Sequence, residues 1–326
     1  MDIERIQQRI NYYKSAFQSL HEFGGKPEVI RSAFRIAMRK PSDTFRKLRW
    51  KAMAKHASID KAILDFKKFK LMVDANDEGI AAELALDKVH EPIGTQILLS
   101  ILKDDMTLIE LGANIGYYTM QEATQAKLKR IVAIEPNPIS FEILKTNVEI
   151  NQCNHVDLLN VGISDVDGEL PFYISKHSNI CSITPRKDYE KKIDVPVMKM
   201  DTLIENQKVD KVDMIRMDIE GHEINAIRSM KALLERDKPW LCMEWHAPMI
   251  SDTDKEEFIS TLEQLGYELK AWTFRWSDYP IFGHNIVYKS DVIKHGDLRH
   301  IITSIPSQVL LLFIAPKETE YTDPKL

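Results

Sequence analysis

The sequence predicts an α/β fold built on a doubly wound, mainly parallel sheet, preceded by a helical extension. Three observations carry that reading. Short apolar runs such as TLIEL (107–111) and RIVAIE (130–135) are each followed by helical periodicity. A glycine-bearing loop, GANIG (112–116), joins the first run to its helix, which is the plan of ligand sites at the carboxyl ends of parallel strands. Residues 1 to about 70 have a different texture: helix formers interrupted at Gly24-Gly25-Lys26-Pro27 and Pro41, with no strand alternation. These features divide the chain into an extension, 1–70, of two or three helices and a domain, 71–326.

The elements follow in order. TLIEL leads to a helix from about Tyr117. RIVAIE leads to one in which Phe141, Leu144 and Val148 share a face, with Asn137 suited to cap it and Pro138 to its first position. VDLLNVGI, the turn Asp167-Gly168 and ELPFYI read as a strand returning as a hairpin. VDMIRMD (212–218) precedes a helix over Glu223 to Glu235, and PWLCMEW (239–245) one that begins near Ser251 and places Phe258, Leu262 and Leu265 inward. ELKAWTF, HNIVYK and QVLLLFIA are expected to close the sheet as antiparallel strands.

With 44% hydrophobic and 29% charged residues over 326 positions, the chain can bury a core and is not disordered throughout. Cys153, Cys181 and Cys242 are scattered outside any C-x-x-C pattern, so no disulfide framework or zinc site is indicated and a reducing, cytoplasmic setting is expected. The N-terminus lacks a signal-peptide apolar segment, and VLLLFIA is too short to span a bilayer.

Charge is unevenly spread. From Arg31 to Lys70 there are 13 Lys/Arg against three acidic residues, although the whole chain carries -5. Arg35, Arg39, Lys40, Arg46, Lys47, Arg49, Lys51 and Lys55 alternate with Phe34, Phe45 and Trp50. That mixture suits peripheral contact with an anionic membrane surface or a lipid-linked or phosphorylated glycan. It equally suits solvated helix faces with the aromatics packed on the domain. Nucleic acid is not expected, because no recognition motif accompanies the charge and the acidic remainder repels phosphate.

The loop after TLIEL narrows the ligand. A dinucleotide fingerprint needs glycine where this chain has Asn114 and Tyr117, so a nicotinamide-dependent oxidoreductase is disfavoured, and the Gly-Lys-Ser/Thr ending of a phosphate loop is missing. Glu110, Gly112, Asn114 and Gly116 instead suit a cofactor with adenosine but no phosphates, of which S-adenosylmethionine is one. Glu135 ends the second strand, where a carboxylate can take both ribose hydroxyls.

Four motifs in order, ELGANIGYYT, AIEPNP with Phe141, Leu144, Asn147 and Asn151 after it, GISD and MDIEGHE, resemble the FkbM family of S-adenosylmethionine-dependent methyltransferases over about residues 71–290. The resemblance implies a class I, Rossmann-like, seven-stranded sheet and O-methylation of a hydroxyl on a saccharide, a glycolipid precursor or a secondary metabolite. Carried over by position, Glu110, Gly112, Asn114 and Gly116 would line the methionine side of the cofactor and Glu135 its ribose. Asp165 would approach the adenine amino group, with Ser164 beside it.

The methyl acceptor is expected near RMDIEGHE, at the end of a strand that should adjoin the first. Asp218 is the candidate for orienting the acceptor or stabilising the sulfonium, with Glu220 beside it, and His222 and His246 are candidates for the base. Glu223 suits a first helical turn whatever the chemistry. Glu244 and His246 share one face of their strand, so Asp218, Glu220, Glu244 and His246 are also compatible with an oxygen-and-nitrogen metal site. That spacing is not specific, and no metal is assigned. A polar loop, Asn179 to Ser182, is a further candidate to face substrate. The contrasting reading is a cofactor-binding scaffold in a glycan-assembly system.

Overall fold

The computed structural model describes residues 60–77, 79–175, 178–185, 189–275 and 293–325. The helices expected before residue 60, most of the basic segment and HNIVYK fall outside them.

The first described elements are two antiparallel strands, β1 (Lys61–Asp65) and β2 (Lys70–Asp74), joined across Phe66 to Phe69. This hairpin straddles residue 70, where a helical extension was expected to end. Its docking is specific: Asn147 accepts from Met72 N and donates to Met72 O (3.0 Å) and Ile115 O (2.7 Å), while Asn151 pairs with Lys70 N and O. Two asparagine amides thus stand in for a neighbouring strand along β2, satisfying backbone groups that would otherwise lie unpaired against the helix. Helices α1 (Ile80–Asp87) and α2 (Pro92–Ile101) follow.

The central sheet then forms as strand and helix alternate: β3 (Thr107–Leu111), α3 (Tyr117–Gln125), β4 (Arg130–Ile134), α4 (Pro138–Ile150) and β5 (Val156–Leu159). Asn137 caps α4 by accepting from Ile139 N, and Pro138 occupies its first position. Beyond β5 lie β6 (Gly162–Ile163), β7 (Gly168–Ile174), β8 (Lys191–Met198) and α5 (Met200–Gln207), after which the chain returns to the sheet with β9 (Met214–Met217). Helices α6 (Glu223–Arg228) and α7 (Lys231–Asp237), β10 (Trp240–His246), α8 (Asp252–Gln264), β11 (Tyr267–Phe274), α9 (Leu298–Ser304) and β12 (Val309–Pro316) complete the described elements.

The seven strands run in the order β11-β12-β10-β9-β3-β4-β5. β10, β9, β3, β4 and β5 pair in parallel, whereas β12 is antiparallel to both its neighbours. The sheet is therefore mixed at one edge, and of the expected closing strands ELKAWTF and QVLLLFIA pair antiparallel with each other. Strand order reverses between β3 and β9, the switch point at which parallel sheets open a crevice beyond their carboxyl ends.

Three expectations change. VDLLNVGI splits, β5 staying in the main sheet while β6 joins a second sheet of order β6-β8-β7. ELPFYI pairs antiparallel with β8 rather than returning on VDLLNVGI. β8, KKIDVPVM, hides its strand character behind two lysines and Pro196, yet Val195 and Val197 alternate inward and pack on Phe172. The helix expected over Glu223 to Glu235 is broken at Ser229, whose hydroxyl donates to Ala226 O and accepts from Met200 N. Among the described residues no helix is long and apolar enough to cross a membrane.

Candidate functional site

A cleft of about 590 Å³, including space open at its mouth, lies over the strand-order reversal. This is within the ~300–1,000 Å³ of small-ligand sites. Its floor is Leu111 and Gly112 at the end of β3, and one wall is Ile134, Glu135 and Pro136 at the end of β4. Asp218, Ile219, Glu220 and His222 follow β9 on the other side, and Phe172, Cys181, Ser182 and Ile183 of the small sheet region close it.

At the β4 end, Asn114 N donates to Glu135 Oε2 (2.7 Å) and Asn137 N to Oε1 (2.8 Å). Each carboxylate oxygen thus takes one backbone donor, leaving acceptor capacity for a pair of hydroxyls. Burial outweighs those donors and pushes the Glu135 carboxyl up to about 7. Asn114 has φ +50°, a left-handed conformation that asparagine tolerates, and its buried Oδ1 has no hydrogen-bond partner. An orphaned acceptor lining the cleft fits a ligand that brings its own donor, as the α-amino group of S-adenosylmethionine does.

The glycines serve packing as much as ligand approach. A Cβ on Gly112, at φ +80°, would overlap the Asp218 carbonyl oxygen, so glycine lets the β3 loop cross the end of β9. A Cβ on Gly116 would meet Leu144 Cδ1 at 2.6 Å, and Gly116 lies outside the cleft lining.

Glu110 is also outside the lining. It is fully buried, accepts from Thr119 Oγ1 and pairs with Arg216 (3.1 Å), the residue directly opposite it on β9. Arg216 in turn lies 3.7 Å over the Tyr118 ring. Tyr117 is buried against Phe66, Phe69 and His90, so the residue that breaks the dinucleotide pattern holds the amino-terminal hairpin. Ser164 and Asp165 also sit behind the lining: Ser164 Oγ is 3.0 Å from His222 Nε2, and Asp165 accepts from Asn225 Nδ2.

Beyond β9 and β10 the groups are mostly side chains of one another. His246 Nδ1 lies 2.7 Å from Glu223 Oε1, and its Nε2 is 3.5 Å from Glu220 and 3.6 Å from Glu244. Arg275 bridges Glu91 (2.9 Å) and Glu244 (2.6 Å). Burial lowers the His246 pKa, but Glu220 and Glu223 together raise it well above the ordinary value. Burial pushes the His222 pKa down, leaving that ring neutral. The two base candidates therefore separate: His222 lines the cleft as a neutral imidazole, and His246 lies behind it, clamped by carboxylates. Burial, with Glu220 next, raises the Asp218 carboxyl.

Sequence reasoning missed Arg216, Glu91, Arg275 and the orienting role of Glu223. Arg216 was readable: TLIEL and MIRM each carry one charge inside an apolar strand, and buried opposite charges must pair. Glu91 and Arg275 share no local pattern with β10 and meet it only through the fold.

The family model described as the methyltransferase FkbM domain matches residues 110–269. The chain is 28% identical over 140 residues to the hexuronic acid methyltransferase AglP of Haloferax volcanii, covering 43% of this chain and 56% of that protein. It is 23% identical over 172 residues to methyltransferase 1 of Beauveria bassiana, covering 46% and 69%. The chain thus spans little more than half the length of the Haloferax relative. Among solved structures, the FkbM methyltransferase of Methylobacillus flagellatus aligns with a TM-score of 0.41 at 20% identity, over 56% of this chain and 45% of that one.

Proposed function

We propose, on the premise that residues 110–269 are an FkbM methyltransferase domain, that this protein transfers the methyl group of S-adenosylmethionine to a hydroxyl of a saccharide or glycolipid precursor. The observation that carries the reading is one cleft joining a carboxylate ready for two hydroxyls, Glu135, to the acidic and imidazole groups Asp218, Glu220 and His222. The cofactor supplies an electrophilic methyl on a sulfonium. The carbon–sulfur bond breaks as a carbon–oxygen bond forms, and the hydroxyl proton passes to a base, leaving a methyl ether and S-adenosylhomocysteine.

Glu135 and Asn114 hold the adenosine and methionine ends, while Asp218 orients the acceptor hydroxyl at near-attack distance. His222, neutral and lining the cleft, is the residue able to take the proton. The hexuronic acid named for the Haloferax relative makes uronic-acid glycans the first acceptors to try.

The test is transfer of labelled methyl from S-adenosylmethionine to such glycans, with the product located by mass spectrometry. Asp218→Asn is expected to lower turnover far more than it changes S-adenosylhomocysteine affinity by calorimetry. Absence of cofactor binding in the unaltered chain overturns the proposal.

A further inference from the structure

We propose that Asp218, Glu244 and His246 form a binding site for one divalent cation of the magnesium or manganese class. One ligand atom from each lies within 4.8 Å of the others. The fold places them there: β9 and β10 are parallel neighbours with Met217 opposite Met243, so Asp218 and Glu244 follow side by side, and His246 lies two residues on.

Two further observations point to a ligand. The Glu244 side chain is 2% exposed, yet neither of its oxygens accepts a hydrogen bond, and Asp218 Oδ1 likewise has no partner. Arg275 Nε stands 2.6 Å from Glu244 Oε1 as a counter-ion, which leaves Oε2 unanswered. Buried carboxylate oxygens without donors are costly unless a cation completes them.

The second observation is the histidine. His246 Nδ1 is held by Glu223 at 2.7 Å, which directs Nε2 towards Glu220 and Glu244. A carboxylate on one ring nitrogen is how ligating histidines are fixed in tautomer and direction. Two carboxylates and one imidazole form a hard, oxygen-rich donor set that suits magnesium or manganese. Asp218 belongs to the cleft, so the ion's remaining positions would open towards the acceptor. If the proposed methyl transfer holds, a cation there draws the acceptor hydroxyl in and lowers its pKa; that consequence rests on the proposed function, whereas the ion site does not.

The experiment uses the full chain, stripped of metal with a chelator and titrated with Mn2+ while the free-ion paramagnetic resonance signal is recorded. No cofactor or acceptor is present, so failure here is distinct from failure of methyl transfer. Uptake of about one Mn2+ per chain, displaced by excess Mg2+, is expected, with Asp218→Asn weakening it at least tenfold. Glu223→Gln, which leaves all three ligands in place, should weaken it about 10–100-fold. Circular dichroism of each variant confirms that it is folded, and Asp218→Asn, at the partly exposed position, serves as the decisive variant if the buried one is not. No uptake, or uptake unchanged in Asp218→Asn, overturns the site.

Discussion

At the β4 end of the cleft, Glu135 is held by backbone N–H groups of residues 114 and 137, one on the adjoining loop and one two positions along the chain. Across the cleft, the groups beyond β9 and β10 are held by side chains from residues 91, 220, 223, 244, 246 and 275. The first arrangement is built by turn geometry and survives most side-chain changes around it. The second is a buried charge network, in which removing one member strands the others. Stability and cofactor affinity should therefore respond differently at the two ends.

The largest effect should come from the charge-held side. Arg216→Leu leaves Glu110 buried without its cation, and Glu122, whose oxygens have no partner, loses a nearby positive charge. A loss of about 3–5 kcal/mol is expected from urea unfolding. The double variant Glu110→Leu/Arg216→Leu should recover the part of the loss that comes from Glu110, because an apolar pair of similar volume no longer strands that carboxylate, while Glu122 and Asp218 still lack the Arg216 charge. An additive double variant would show that the two residues are not coupled.

Gly112→Ala tests the seam between the two ends. Its Cβ clashes with the Asp218 carbonyl and adopts a left-handed backbone, for a combined loss of about 2–5 kcal/mol. Gly266, at φ +78° with no neighbouring atom within 4 Å of where a Cβ would stand, isolates the backbone part, so Gly266→Ala should lose only about 1–2 kcal/mol. Equal melting shifts for the two would remove the crowding at β9 from the account.

The same contrast explains what could be read from the sequence. TLIEL, RIVAIE, the cap at Asn137 and the start of α8 at Ser251 are local patterns, and each stands where its pattern put it. β8 was missed because Pro196 and the leading lysines masked a strand stabilised by non-local pairing. Glu110 occupies the expected strand but faces Arg216 rather than the cleft, because alternation sends successive side chains to opposite faces. The Glu91–Arg275–Glu244 link spans parts of the chain far apart in sequence, and no spacing rule reaches across such a gap.

On the backbone-held side the expected effect moves from stability to binding. Glu135→Ala removes the carboxylate proposed to accept from the ribose hydroxyls while leaving the strand and its cap intact. A loss of about 1.5–3 kcal/mol in S-adenosylhomocysteine binding, roughly 10–100-fold, is expected by calorimetry. Unfolding free energy should fall less than in Arg216→Leu, by the cost of leaving the backbone N–H groups of residues 114 and 137 without their acceptor. A variant that loses as much stability as Arg216→Leu yet binds normally would reverse the assignment of the two ends.

The smallest effect is also the most discriminating, because stability and affinity should move in opposite directions with pH. Burial raises the folded Glu135 carboxyl from 4.5 to about 7. Its contribution to stability is therefore fully present below the unfolded value and is lost as pH rises through about 7. Ribose hydroxyls need the ionised form as acceptor, so S-adenosylhomocysteine affinity should fall roughly tenfold from pH 8 to pH 6, as the carboxylate takes up its proton. Over the same interval the ligand-free chain should gain stability from this group. Glu135→Gln cannot titrate and should flatten both profiles, when each is compared with the unaltered chain in the same buffers. If affinity in the Gln variant keeps the full pH dependence, the titrating group lies on the other side of the cleft, among Asp218 and its neighbours.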